Sequence, residues 1–163
     1  MTSFLQRQDS PRNAGDLTDL FYACINGMPA DVAVFVKYTG RMCIPCQQFA
    51  PVLDEILGGM KDTARLLTVS VDDITAKGID NETRRAFFRA VKGDSPFPHL
   101  QIFRAGILLG SMPVYQIIPE VAREHGLTVD DGSGHIDGDF PYAAMKERTL
   151  AFIGKALLPD ASP

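Results

Sequence analysis

The chain has no apolar run approaching the ~20 residues that cross a bilayer, no long basic stretch, no tryptophan and only three cysteines. The first absence excludes a membrane-spanning helix. The second leaves 16 Lys and Arg against 20 Asp and Glu, a net charge of −4. That gives no electrostatic reason to expect a nucleic acid or an anionic membrane as partner. Three cysteines are too few for the disulfide scaffold of a small secreted protein. Residues 1–16 carry neither the basic n-region nor the apolar h-region of a secretory leader, so a cytoplasmic location is expected.

What is present is globular. Over 163 residues, 45% are hydrophobic and 22% charged, values of an ordinary single domain that buries a core without staples. Residues 1–15 read as a flexible N-terminal arm and 16–163 as one domain. Leu17, Leu20/Phe21 and Cys24 form one helical stripe that Gly27 can end. Cys24 on that stripe reads as a small core hydrophobe.

Val32-Ala33-Val34-Phe35-Val36 reads as a strand covered on both faces. A helix is expected from Cys43 to Gly58-Gly59, kinked by Pro51. Leu66 to Val71 reads as a second strand, followed by a loop through Gly78. Asp80 or Asn81 can cap a helix to about Val91, stopped by Gly93. Leu100–Phe103 and Ile107–Leu109 flank Arg104-Ala105-Gly106 as a hairpin, and the last helix covers about Tyr142 to Leu158. Strand–helix–strand, then a helix and a hairpin, predicts an α/β fold with a central mixed sheet and helices on both faces.

Chemistry concentrates at Cys43-Ile44-Pro45-Cys46. Two cysteines with this spacing can close a small ring when the first precedes a helix and the second lies in its first turn. Free amides and the helix dipole there favour a thiolate, bringing the pKa from ~8.5 into the range ~3.5–7.5. The thiolate is the attacking species in disulfide exchange. Cys43, at the loop end, attacks; Cys46, one turn inside, resolves. Pro45 suits the first helical turn, and Arg41 adds positive charge nearby. Zinc is the rival reading, but it wants four ligands, and Cys24, His99, His125 and His135 form no second pair. No metal and no cofactor are expected.

Taken with its surroundings, this motif resembles the thioredoxin family. An apolar strand leads into Cys43-x-Pro45-Cys46, and Pro51 follows in the helix. A strand then ends at Asp72-Asp73, and Phe97-Pro98 precedes the hairpin. The likeness covers roughly residues 17–112 and the last helix. It implies a thioredoxin-like fold, a cis bond at Pro98 packed against the dithiol, and a neighbouring backbone, at Phe97, on which a client polypeptide pairs. It further implies thiol–disulfide exchange on protein disulfides, with an external reductant such as a thioredoxin reductase or a small thiol restoring the dithiol.

Three positions depart from the family. Met42 stands where Trp is usual. Lys37 replaces a buried acid that serves the resolving thiol; it either acts as a base when desolvated or extends to solvent. His99 replaces a small hydroxyl residue and either faces the dithiol, tuning it, or points away. The bulky Phe97 suggests a narrow or apolar substrate groove.

Residues 113–141 have no counterpart in a minimal thioredoxin. A two-turn helix is expected at Pro119–Gly126. In the following acidic stretch Asp131, Ser133, Gly134, Ile136 and Asp137 fall in an EF-hand register, but the first acidic ligand is missing and Phe140 replaces the bidentate glutamate. A flexible acidic surface loop is the reading adopted. The insertion is the candidate source of partner specificity, which keeps open a second reading: a partner-binding or protein-folding factor with a specialised client and little general reductase activity.

Overall fold

A computed structural model describes residues 2–130 and 132–158. In chain order the elements begin β1 (Thr2–Ser3), α1 (Ala14–Asn26), β2 (Ala33–Thr39), α2 (Ile44–Gly58) and β3 (Ala64–Ser70). There follow α3 (Val71–Ala76), α4 (Asn81–Lys92), β4 (His99–Arg104) and β5 (Ile107–Met112). The chain continues with α5 (Val114–Glu124), β6 (Thr128–Val129), β7 (Ile136–Asp137) and α6 (Tyr142–Leu157).

Five strands form one sheet in the order β1-β3-β2-β4-β5. β3 runs parallel to β2, while β4 is antiparallel to it and to β5. β2 is buried on both faces, as its unbroken apolar run requires. Val34, Val36 and Tyr38 pack with α1 and α4 residues such as Phe21, Phe87 and Phe88. Ala33 and Phe35 pack on the other face with Phe49 and Leu53 of α2, Ile118 of α5 and Ile153 of α6. Helices on both faces of a mixed sheet, with a CxxC motif at the start of α2 and the Phe97–Pro98 bond before β4, constitute the expected thioredoxin-like architecture. The hairpin turns at Ala105 and Gly106, both with positive φ (52° and 77°), as a two-residue turn of the I′ class requires.

The N-terminal segment differs from the loose arm expected of residues 1–15. Thr2 and Ser3 pair with Leu67 and Thr68, Phe4 and Leu5 are buried, and the Phe4 ring stacks on Phe87 at 5.5 Å. Lys77 Nζ donates to the carbonyls of Gln6, Arg7 and Asp9. Two apolar residues in a polar stretch make no periodic pattern, yet burying each side chain contributes roughly 1.5–3 kcal/mol.

Two further elements differ. The stretch after β3 is the short helix α3, capped by the Ser70 hydroxyl accepting from the Asp72 amide at 3.2 Å. α5 begins at Val114, earlier than expected, because Val114, Ile118, Val121 and Ala122 give it a continuous buried stripe that includes the turn before Pro119. α5 is tied to α6 by a forked contact from Arg148 Nη2 to Glu124, 2.9 and 3.0 Å. Beyond it, the acidic stretch forms the β6–β7 hairpin. The Asp130 carboxylate accepts the amides of Gly132 and Ser133; Asp131 lies outside the described residues.

Candidate active site

The strand-to-helix turn after β2 fixes Cys43. Its backbone is extended (φ −113°, ψ 107°), and it is the N-cap residue of α2. The Sγ of Cys43 accepts the amide hydrogen of Cys46 at 3.2 Å, so sulfur takes the place usually filled by a capping oxygen. Pro45 occupies the first turn, where its missing N–H breaks no intrahelical bond. Cys43 and Cys46 are joined in a disulfide, with Cα atoms 5.2 Å apart. Cys46 is 4% exposed; Cys43 is half-buried at the surface.

Flanking groups hold the turn. The Arg41 amide donates to the Asp72 carboxylate at the start of α3, and Gln47 Nε2 donates to the Arg41 carbonyl at 2.9 Å. Arg41 is exposed and contributes to the site through its backbone.

The Phe97–Pro98 bond is cis, and the Phe97 carbonyl oxygen lies 3.8 Å from Cys43 Sγ. Cys43, Cys46, Pro45, Phe97 and Pro98 are therefore brought to one place. Phe97 contributes its carbonyl there, whereas its ring turns to α4. It meets Phe88 edge-on with centroids 4.9 Å apart and lies under Lys92 Nζ at 5.0 Å. Backbone and ring thus serve different neighbours, the carbonyl facing Cys43 and the ring facing α4.

His99 points away from the dithiol. Its ring packs edge-on against Tyr38 at 5.8 Å, on the sheet face opposite to the one α2 covers. Nδ1 pairs with the Ser95 hydroxyl at 2.9 Å and Nε2 with the Ser111 hydroxyl at 2.6 Å. Burial, aided by the nearby Lys92 cation, pushes its pKa down to about 4, so the ring is neutral and acts as a latch between three chain segments.

Lys37 is 7% exposed and pairs in register with Thr68 and Leu100. Strand alternation puts it with Phe35 on the face that α2 covers. No hydrogen bond or ion pair holds it among the described residues, and the neighbouring Thr68 hydroxyl is buried without a partner. Cys24 is half-buried against the α1 core, its thiol 3.5 Å from the Phe4 carbonyl. Burial first, and then Asp9, raises the Cys24 pKa.

One feature escaped the sequence reading: a cleft of about 540 Å³ beside Cys43, walled by the insertion through α5 and the β6–β7 turn. Its residues come from three distant segments, and only the sulfur among them carries a motif. Among the described residues no group of three or more His, Cys, Asp or Glu is placed to hold a metal ion, and no helix is long and apolar enough to cross a membrane.

No family model matches the chain, and no curated protein matches it. Solved structures do. Thioredoxin Mala s 13 of Malassezia sympodialis is 21% identical, with a TM-score of 0.42 over 58% of this chain and 72% of that one. The germline-specific thioredoxin Deadhead of Drosophila melanogaster is 16% identical, with a TM-score of 0.40 over 71% of this chain and 98% of that one. Thioredoxin f2 of Chlamydomonas reinhardtii is also similar to this chain, 16% identical with a TM-score of 0.45 over 66% of it and 91% of that structure.

Proposed function

We propose that the protein is a thiol–disulfide oxidoreductase acting on protein disulfides through Cys43 and Cys46. The observation that carries this reading is Cys43 at the N-cap of α2, bonded to Cys46 while its sulfur accepts the Cys46 amide. In the reduced state the same donor, with the helix dipole, faces a thiolate.

The exchange balances as follows. The Cys43 thiolate attacks a client disulfide, forming the Cys43–client bond and releasing the second client sulfur as a thiolate that takes a proton. Cys46, deprotonated, then attacks Cys43 Sγ and releases the first client sulfur. Two electrons pass from the dithiol to the client, and the Cys43–Cys46 bond remains. An external dithiol reductase or small thiol restores the starting state.

The division of labour rests on exposure, since Cys43 reaches the surface and Cys46 is buried. Pro45 holds the helix start, and Phe97 with Pro98 offers backbone beside Cys43 for a client strand. Lys37, a buried cation on the α2 face, supports ionisation of the resolving thiol. His99 has a structural part only.

A Cys46→Ser variant tests the reading. It is expected to accumulate mixed disulfides with clients, while the unaltered protein reduces a general disulfide substrate catalytically. Trapped clients without general turnover would instead favour a specialised folding factor, a reading supported by the cleft that the insertion builds at Cys43.

A further inference from the structure

Any client whose sulfur bonds to Cys43 must lay its neighbouring residues within a few ångströms of that sulfur. On one side stands the Phe97 carbonyl. The next carbonyl, that of Pro98, already accepts the Tyr115 amide at 3.1 Å. On the other side the surface opens into the cleft of about 540 Å³, within the roughly 300–1,000 Å³ of ordinary ligand pockets.

Its walls are chemically one-sided. Ile44 and Pro45 of α2, Ile118 and Pro119 of α5, and Ile136 of the hairpin supply apolar surface, and His135 stands at the turn. No Asp, Glu, Lys or Arg is among the described residues lining it. A charged occupant would lose hydration and find no opposite charge, whereas an apolar one removes surface from water on both sides. The Tyr115 hydroxyl and the Gln48 side-chain amide, both lining the cleft, can meet the polar backbone that accompanies such a side chain.

We infer that this cleft is a selectivity pocket for an uncharged apolar or aromatic side chain adjacent to the client's disulfide cysteine, presented by an extended polypeptide. The inference rests on the redox reading above and adds to it which clients are chosen. The insertion serves exchange by binding the residue beside the attacked sulfur, so that client sulfur and Cys43 meet already oriented.

The test uses the full chain carrying Cys46→Ser, which stops the reaction after one attack. Its probes are three short peptides, each with one cysteine held as a mixed disulfide with thionitrobenzoate. The cysteine is flanked by Phe and Leu, by glycines, or by Asp and Lys. Attack joins Cys43 to the peptide sulfur and releases one coloured thionitrobenzoate. At subsaturating peptide the apolar-flanked probe is expected to react at least about tenfold faster than the glycine probe, the scale of one partly buried apolar side chain. Ile136→Ser and, separately, the space-filling Ser133→Trp are expected to bring that ratio to within about twofold of unity.

Equal rates for the first two probes, preference for the charged probe, or a ratio that neither substitution lowers would overturn the inference and leave the redox reading standing. If none of the probes reacts faster than with free cysteine, the redox reading fails and takes the inference with it.

Discussion

The amide of Tyr115 donates to the carbonyl of Pro98 at 3.1 Å. Tyr115 lies in the first turn of α5, where amides have no partner within the helix. The loop facing Cys43 and the start of the insertion therefore share one hydrogen bond, and the two walls around the sulfur are held at a fixed separation. The measurable consequence is amide exchange. The Tyr115 N–H is expected to exchange at least about a hundredfold more slowly than an unstructured amide. Exchange at the unprotected rate would mean that α5 and the Pro98 loop move independently.

Ionisation of Cys43 is the second expectation. In the disulfide form its sulfur faces the Cys46 amide and the positive end of a 15-residue helix, the groups that would stabilise a thiolate once the bond is opened. Its rate of alkylation by iodoacetamide should rise with a midpoint well below the ~8.5 of free cysteine, inside ~3.5–7.5. Cys24 serves as an internal contrast, since burial moves its thiol upward. A Cys43 midpoint at or above that of free cysteine would remove the basis for its attacking role.

His99 predicts a loss of stability in mild acid. Its folded pKa is about 4, against an ordinary value of 6.5, because burial disfavours the cation and Lys92 repels it. Above pH ~6.5 the ring is neutral in both states and its latch is intact. Between there and pH ~4 the unfolded chain takes up a proton that the folded chain refuses, so stability falls as pH falls. Between pH 7.5 and 5 the loss attributable to this residue is about 2 kcal/mol. Urea unfolding at the two pH values checks it: a His99→Gln variant, although less stable at pH 7.5, should show a shallower drop on acidification. An equal drop in both proteins would refute the assignment.

His99 also shows where sequence reading ends. The dithiol was legible because its chemistry is carried by two residues of one turn, with an apolar strand before them and a helical stripe after them. Which way His99 points was not, because β4 is buried on both faces, so the alternation of His99 and Gln101 with Leu100 and Ile102 does not tell which set lies on the side of the dithiol. α3 carried a signal that went unused, Ser70 followed by two acids, an N-cap with favourable first-turn charge. Phe4 and Leu5 had none, since β1 pairs with a strand remote in sequence and is too short for a pattern. The cleft was invisible for a related reason: Ile44, Ile118 and Ile136 each look like ordinary apolar residues until the fold sets them side by side.

Lys37 brings stability and exchange into opposition. The side chain is almost fully buried on the face that α2 covers, with no acidic partner among the described residues. Replacing a buried side chain whose polar head has no partner among the described residues with an apolar one of similar length leaves no polar group to accommodate, so Lys37→Met is expected to raise the urea midpoint. The same change alters the side chain on the sheet face that carries α2 and, with it, Cys46. Mixed disulfides on Cys43 should then persist about tenfold longer in quenched-flow trapping, because less Cys46 is present as thiolate. Both readouts bear on one claim, that a cation is kept at this buried position for its effect on sulfur. A stabilised variant that resolves mixed disulfides at the original rate would show that Lys37 has no part in the exchange, and a destabilised one that the ammonium is well solvated where it lies.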